Sequence, residues 1–175
     1  MNSYTFVDGN GQEWSTTAIA MTKEYFLWMD EQIRGICHFS IEDIVGMPLD
    51  DYVLLSMNRI VPKGENKSSF NLLVNNGHAV AMGGLRQLAN GHGEVVRVYT
   101  KPSSRGRGYG RAMLEKIIDD ARLLKFPVLN LDTGIFMKDA QSLYASLGFQ
   151  ACEPYEGAEP PPQLLPYWLY MELKL

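Results

Sequence analysis

The stretch TKPSSRGRGYGRAML, residues 100–114, decides how this chain is read. Arg105, Arg107 and Arg111 are interleaved with Gly106, Gly108 and Gly110, immediately before apolar residues begin to recur at helical spacing. The start of a helix leaves its first N–H groups without intrahelical partners, and the helix dipole adds partial positive charge there. Glycines let the backbone close on a bulky group, and arginines add charged donors. The stretch therefore has the parts of an anion cradle, for a phosphate above all. The plain alternative is a solvated turn that caps a helix.

Spacing narrows the choice of phosphate. A dinucleotide fingerprint requires a glycine three residues after Gly108, and Arg111 stands there. No Gly-Lys-Ser/Thr comes after it, which removes a nucleoside-triphosphate loop. An arginine-glycine tract that binds RNA would be longer and disordered, whereas here an amphipathic helix begins at once. The formal net charge of -4 gives no bulk attraction to nucleic acid or to an anionic membrane, so any anion site is local.

Upstream of the loop, two apolar runs, FNLLV and HAVAMGGL, flank the turn signal NNG and predict a hairpin. A second turn, ANGHG, leads into a strand over residues 94–100 and completes an antiparallel meander. Within that strand Arg97 is out of phase with Glu94, so strict alternation sends the two to opposite faces. After the glycine loop, Met113, Leu114, Ile117, Ile118, Ala121 and Leu124 fall on one helical face, ended by Phe126-Pro127. VLNLD reads as a strand. A further helix carries Ala140, Leu143, Tyr144 and Leu147 on one side and stops at Gly148, and Phe149 opens an extended segment. The proline-rich PYEGAEPPPQLLP is a long loop, and YWLYMELKL alternates as a closing strand. In the first third, residues 22–36 have helical periodicity. Ser40 and Asp43 cap a second short helix that Gly46 and Pro48 close, and VPKGENKSSF is a loop.

The predicted fold is α+β: a mixed, mostly antiparallel central sheet with one parallel strand pair and helices on both faces. The glycine loop then lies at the carboxyl end of a strand, where open sheets place ligands. A hydrophobic fraction of 46% against 21% charged residues suits one globular domain over 1–175. The N-terminus has no basic-then-apolar leader, and no run is apolar enough to span a membrane. Cys37 and Cys152 are isolated, which suits buried thiols in a reducing, cytoplasmic setting, and Cys37 with His38 reads as packing.

Arg105-x-x-Gly108-x-Gly110 resembles the pyrophosphate motif of the GNAT acyltransferases, (Gln/Arg)-x-x-Gly-x-(Gly/Ala). GEVVRVYTKP is similar to that family's central strand, and LDT with the later AQSLYASLGF is similar to its second crossover. Pro154-Tyr155 and the closing YMELKL resemble a bacterial-type subgroup. The resemblance covers residues 77–175, the acyl-CoA core. Residues 15–60 are only loosely similar and would form the variable acceptor side.

The resemblance implies an N-acetyltransferase using acetyl-CoA, with no metal, on the amine of a small molecule or of a peptide N-terminus or lysine. It implies that backbone amides across Arg105, Gly106, Arg107, Gly108, Tyr109, Gly110 and Arg111 hold the pyrophosphate. Val98, Tyr99 and Thr100 would pair with the pantetheine arm. Tyr144 matches the tyrosine that donates a proton to the CoA sulfur, beside the alternative of a plain apolar-face residue. Glu94 matches an acidic position used as general base, directly or through water, beside the alternative of a solvated strand end. Asp132 would orient the ammonium or cap the next helix, and Tyr155 would line the acceptor pocket or anchor its loop. Met137 stands where many members carry an Asn that contacts the cofactor. A non-catalytic acyl-CoA sensor is the alternative function. The last strands and prolines are a candidate homodimer contact.

Overall fold

The glycine loop joins strand β4 (Gly93–Thr100) to helix α4 (Tyr109–Leu123), with a short 3-10 turn at Pro102–Ser104 between them. This computed structural model describes residues 4–60, 67–158 and 160–175. The other strands are β1 (Tyr4–Asp8), β2 (Ser69–Asn75), β3 (His78–Gln87), β5 (Val128–Gly134), β6 (Gln150–Cys152) and β7 (Trp168–Lys174). The remaining helices are α1 (Ser15–Cys37), α2 (Ile41–Val45), α3 (Leu49–Asn58) and α5 (Lys138–Ser146). One sheet runs in the order β1-β2-β3-β4-β5-β7-β6. Its pairs are antiparallel except β4 with β5. The fold is the mixed α+β arrangement that the pattern predicts.

The predicted meander is present. Asn76 and Gly77, both at positive φ (51° and 77°), make the two-residue turn between β2 and β3, the hand that matches strand twist. Helix α4 buries Met113, Leu114, Ile117, Ile118 and Ala121 against one sheet face, together with Tyr144 of α5. The other face is covered by α1 and α3 through Ala18, Met21 and Met57. Beyond them Phe26, Met29, Ile33 and Ile41 pack toward Leu164, Trp168 and Tyr170. At α2, Ser40 and Asp43 form the predicted reciprocal cap, and Asp30 of α1 accepts a hydrogen bond from the Ile41 N–H at 2.6 Å.

Several boundaries differ from expectation. Strand β1 is absent from the sequence pattern, because YTFVD is short and runs directly into a glycine-rich turn. Helix α1 begins at Ser15 rather than at residue 22. Helix α3 is likewise unexpected: Pro48 has the look of a stop, but it serves as the N-cap of α3. A proline is well tolerated at a helix start, where its missing N–H costs nothing. Of the VPKGENKSSF loop, residues 61–66 lie outside the described residues, and Ser69 and Phe70 belong to β2. The proline-rich loop contains a 3-10 turn at Pro162–Tyr167, and β7 then inserts between β5 and β6.

Two irregularities position the site. The β4–β5 ladder consists of Gly93 opposite Leu129 and Glu94 opposite Asn130. Beyond these the strands part, which leaves the β5-facing edge of β4 without ladder partners up to Thr100. The second is a bulge in β4. Met82 pairs with Tyr99 and Gly84 with Val96, so β4 carries one extra residue, and Arg97 sits there at φ 54°. A bulge resets the alternation of faces. The expectation that Arg97 and Glu94 point apart is therefore corrected: both line the same chamber.

Candidate active site

Where β4 and β5 part, a cleft of about 620 Å³ opens, within the range of cofactor sites. The end of β4 supplies Val98, Tyr99 and Thr100, and α4 supplies Tyr109, Gly110 and Arg111 at its N-terminus. Arg105, Gly106 and Gly108 complete that wall. Tyr144 and Met137 face it from α5 and its cap. The first helical hydrogen bond of α4 runs from the Ala112 N–H to the Gly108 carbonyl, and no side chain caps the helix. The N–H groups of residues 108–111 therefore have no partner within the helix and lie at its positive end.

Gly106 and Gly108 lie at φ 74° and 82°, which side-chain-bearing residues rarely adopt, and a Cβ at either would project into open space. The residues present thus fit a diphosphate: bare amides, open room and left-handed backbone coincide. The three guanidinium groups differ. Arg105 donates to the Thr100 carbonyl at 3.2 Å and stacks over Trp28, while Arg111 donates to Ser146 Oγ at 2.7 Å, so both are built into the wall. Arg107 is exposed, and its side chain does not line the cleft.

A second chamber, of about 130 Å³, lies between α1, α2 and the proline-rich loop. The two chambers share Tyr25, Val95, Arg97, Asp132 and Trp168. Glu94 lines only the smaller chamber and Tyr144 only the larger, so they flank the junction. Glu94 is 1% exposed, which rules out a solvated strand end. It is ion-paired with Arg86 and accepts a hydrogen bond from the Tyr155 hydroxyl at 2.8 Å. Burial pushes its carboxyl up to about 7, against the pull of Arg86.

Tyr155 also reaches Asp132 at 3.4 Å, and Trp168 Nε1 donates to Asp132 at 2.5 Å. Asp132 is thereby aimed at the junction, and α5 has no side-chain cap, so the capping alternative is set aside. Met137 lines the cleft, and its Sδ accepts from Thr133 Oγ1 at 3.4 Å. Tyr144 is 7% exposed and packs its ring on Phe149. Burial, then the charge of Asp132, raises its hydroxyl well above the usual phenol range. It is a neutral donor at any physiological pH, and among the described residues its hydroxyl makes no hydrogen bond.

Asp132 and Tyr144 line the cleft and Glu94 the smaller chamber, but Tyr155 lines neither: it is a loop anchor that reaches Glu94 and Asp132 by hydrogen bonds, and sequence reasoning missed Arg86 and Trp168. Arg86 carried a usable signal. The ANGHG turn sets it directly opposite Glu94 across β3 and β4, and opposite charges at such positions attract. Arg86 also donates to the Gly157 carbonyl at 2.9 Å, which ties the buried carboxylate to the proline-rich loop. Trp168 carried none, because its contact depends on β7 inserting beside β5. Neither Cys37 nor Cys152 lines either chamber.

Comparison with known proteins bears on the family and the fold. The family described as "Acetyltransferase (GNAT) family" matches residues 47–149. An IAA acetyltransferase of Azospirillum brasilense is 38% identical over 72 residues, 41% of this chain and 47% of that protein. The chain thus spans about half the length of that relative. The crystal structure of an acetyltransferase from Streptococcus agalactiae 2603 superposes with a TM-score of 0.72 at 17% identity, covering 100% of both chains. The structure of yncA from Salmonella typhimurium with its cofactor acetyl-CoA gives 0.66 at 16% identity, covering 99% of this chain and 94% of that one. With more than half of its residues inside the matching family, a parallel pair that parts over a bare helix N-terminus, and this shared fold, the chain belongs to the acetyltransferase (GNAT) family.

Proposed function

We propose that this chain transfers the acetyl group of acetyl-CoA to a primary amine by direct attack, with both substrates bound together. The observation that carries this is the pair of chambers meeting at Asp132, with a buried carboxylate of raised pKa on one side and a neutral phenol on the other. A thioester presented at the junction from the larger chamber meets an amine presented from the smaller one. Proximity of this kind accounts for much of a bimolecular barrier.

The residues divide the work. Amides across residues 105–111, chiefly those at the start of α4, hold the pyrophosphate, and the open edge of β4 at Val98, Tyr99 and Thr100 takes the pantetheine amides as an added strand. Met137 borders that arm as an apolar contact in place of an amide side chain. Asp132, fixed by Trp168, orients the incoming ammonium, and Glu94 accepts its proton. Tyr155 and Arg86 hold Glu94 in place. Tyr144 donates to the sulfur as it leaves with the electron pair of the broken C–S bond. Acetyl-CoA, when bound, supplies the activated acyl group.

The test is release of free CoA from acetyl-CoA in the presence of an amine panel. Gly108→Val gives an internal control, because it forces a branched residue into left-handed backbone and fills the space in front of the amides. We expect its KM for acetyl-CoA to rise at least about tenfold, with kcat little changed. A sensor that keeps the cradle but lacks the chemistry would bind acetyl-CoA and release no thiol with any amine, which would contradict the reading.

A further inference from the structure

The wall of the smaller chamber narrows the amine, an inference that rests on the reading above. Tyr25, Met29 and Ile33 succeed one another at steps of four residues along α1, and all three line it. The chamber therefore runs along about 12 Å of helix axis, starting from the junction that Tyr25 shares with the cleft. Its charged lining residues, Glu94, Asp132 and Arg97, come from β4 and β5, at the junction end. Farther along, the wall is mostly apolar, with Met29, Ile33, Ile44 and Leu164, and Tyr52 adds a phenol to the lining; among the described residues no other charged side chain lines the chamber.

Two features then converge. Glu94, ion-paired with Arg86, and Asp132, held by Trp168, put both carboxylates of the described lining at the junction end. An ammonium drawn to that end sits beside Glu94 and next to the junction with the cleft. The volume of about 130 Å³ is close to the ~150 Å³ cavity that accepts one benzene ring. We infer that the acceptor is a primary monoamine whose body is one apolar group, the size of a single ring or of a chain of about five carbons. A diamine or polyamine would push a second ammonium among Met29, Ile33 and Ile44, where no carboxylate of the described residues lines the chamber, and burial of an unpaired charge is strongly disfavoured.

Pentylamine and 1,5-diaminopentane make the cleanest comparison, because they differ only in that second ammonium. The measurement is kcat/KM for CoA release with each, alongside 2-phenylethylamine and a lysine-containing peptide blocked at its N-terminus. Both monoamines are expected to exceed the diamine by about 30-fold or more. Ile44 is half-buried on α2, so Ile44→Asp places a carboxylate at the far end. That variant, or Val45→Asp should the first not fold, is expected to raise the diamine and lower pentylamine, reducing the ratio at least about tenfold. Equal or better turnover of the diamine or the peptide would overturn the inference and leave acetyl transfer standing. Failure of every amine to release CoA from bound acetyl-CoA would overturn both.

Discussion

Tyr144→Phe is expected to lower kcat by about 10²–10³-fold while leaving the affinity for CoA within about threefold, the range for loss of a general acid. The substitution removes one oxygen and keeps the ring against Phe149, so the wall of the cleft retains its shape. The hydroxyl has no partner to lose among the described residues. Any effect on turnover therefore reports what it does for the leaving sulfur. Burial makes Tyr144 a weaker acid than a free phenol, which at first sight argues against proton donation. The shift favours a different timing. A neutral donor kept in place contributes little while the thioester is intact and most when charge builds on sulfur, and that difference is what lowers a barrier. Single-turnover rates with acetyl-CoA and a reactive amine, beside calorimetry with CoA, separate the two parameters. If Tyr144 were only a packed residue on the apolar face of α5, kcat would stay within about twofold.

The second large effect concerns Glu94 and pH. A carboxylate accepts a proton only when ionised, and burial has moved its pKa from an ordinary glutamate value to about 7. Wild-type kcat/KM should therefore climb as pH rises through about 7 and level off above it, up to the range where the amine itself titrates. Glu94→Gln preserves the size of the side chain and one acceptor for Tyr155, but it cannot take the proton. We expect a loss of about 10²–10³-fold on the alkaline plateau and disappearance of the inflection near 7. Well below that inflection the two enzymes should converge, because the wild-type carboxyl is itself protonated there. A pH–rate profile of both with one amine checks this. An unchanged inflection in Glu94→Gln would assign it to another group.

How far the sequence discloses the site depends on which contacts are local. The glycine loop is legible because its parts are consecutive residues: a strand, left-handed glycines and a helix start. Glu94 and Tyr144 are legible through their places in a strand and on a helix face. Arg97 is not, since its direction depends on a bulge that pairs one residue of β3 with two of β4. Alternation assumes a regular pleat, and a single extra residue reverses it. Trp168 is hidden for a topological reason. It meets Asp132 only because β7 leaves the proline-rich loop and enters between β5 and β6. The smaller chamber is hidden likewise: helices α1 and α2 show their apolar stripes in sequence, but not that Ile33 and Ile41 stop short of filling the space before Leu164. A proline such as Pro48 can end one helix or open another, and the short α3 has too few apolar repeats to decide between them.

In the proposed complex, coenzyme A lies with its diphosphate against the start of α4 and its pantetheine arm along β4. Amide hydrogen exchange of the whole chain, with and without saturating CoA, tests it residue by residue. Protection is expected to concentrate at residues 106–111 and 98–100, with helices α2 and α3 unchanged. Tight CoA binding that left both of those segments exchanging as in the free protein would contradict that placement.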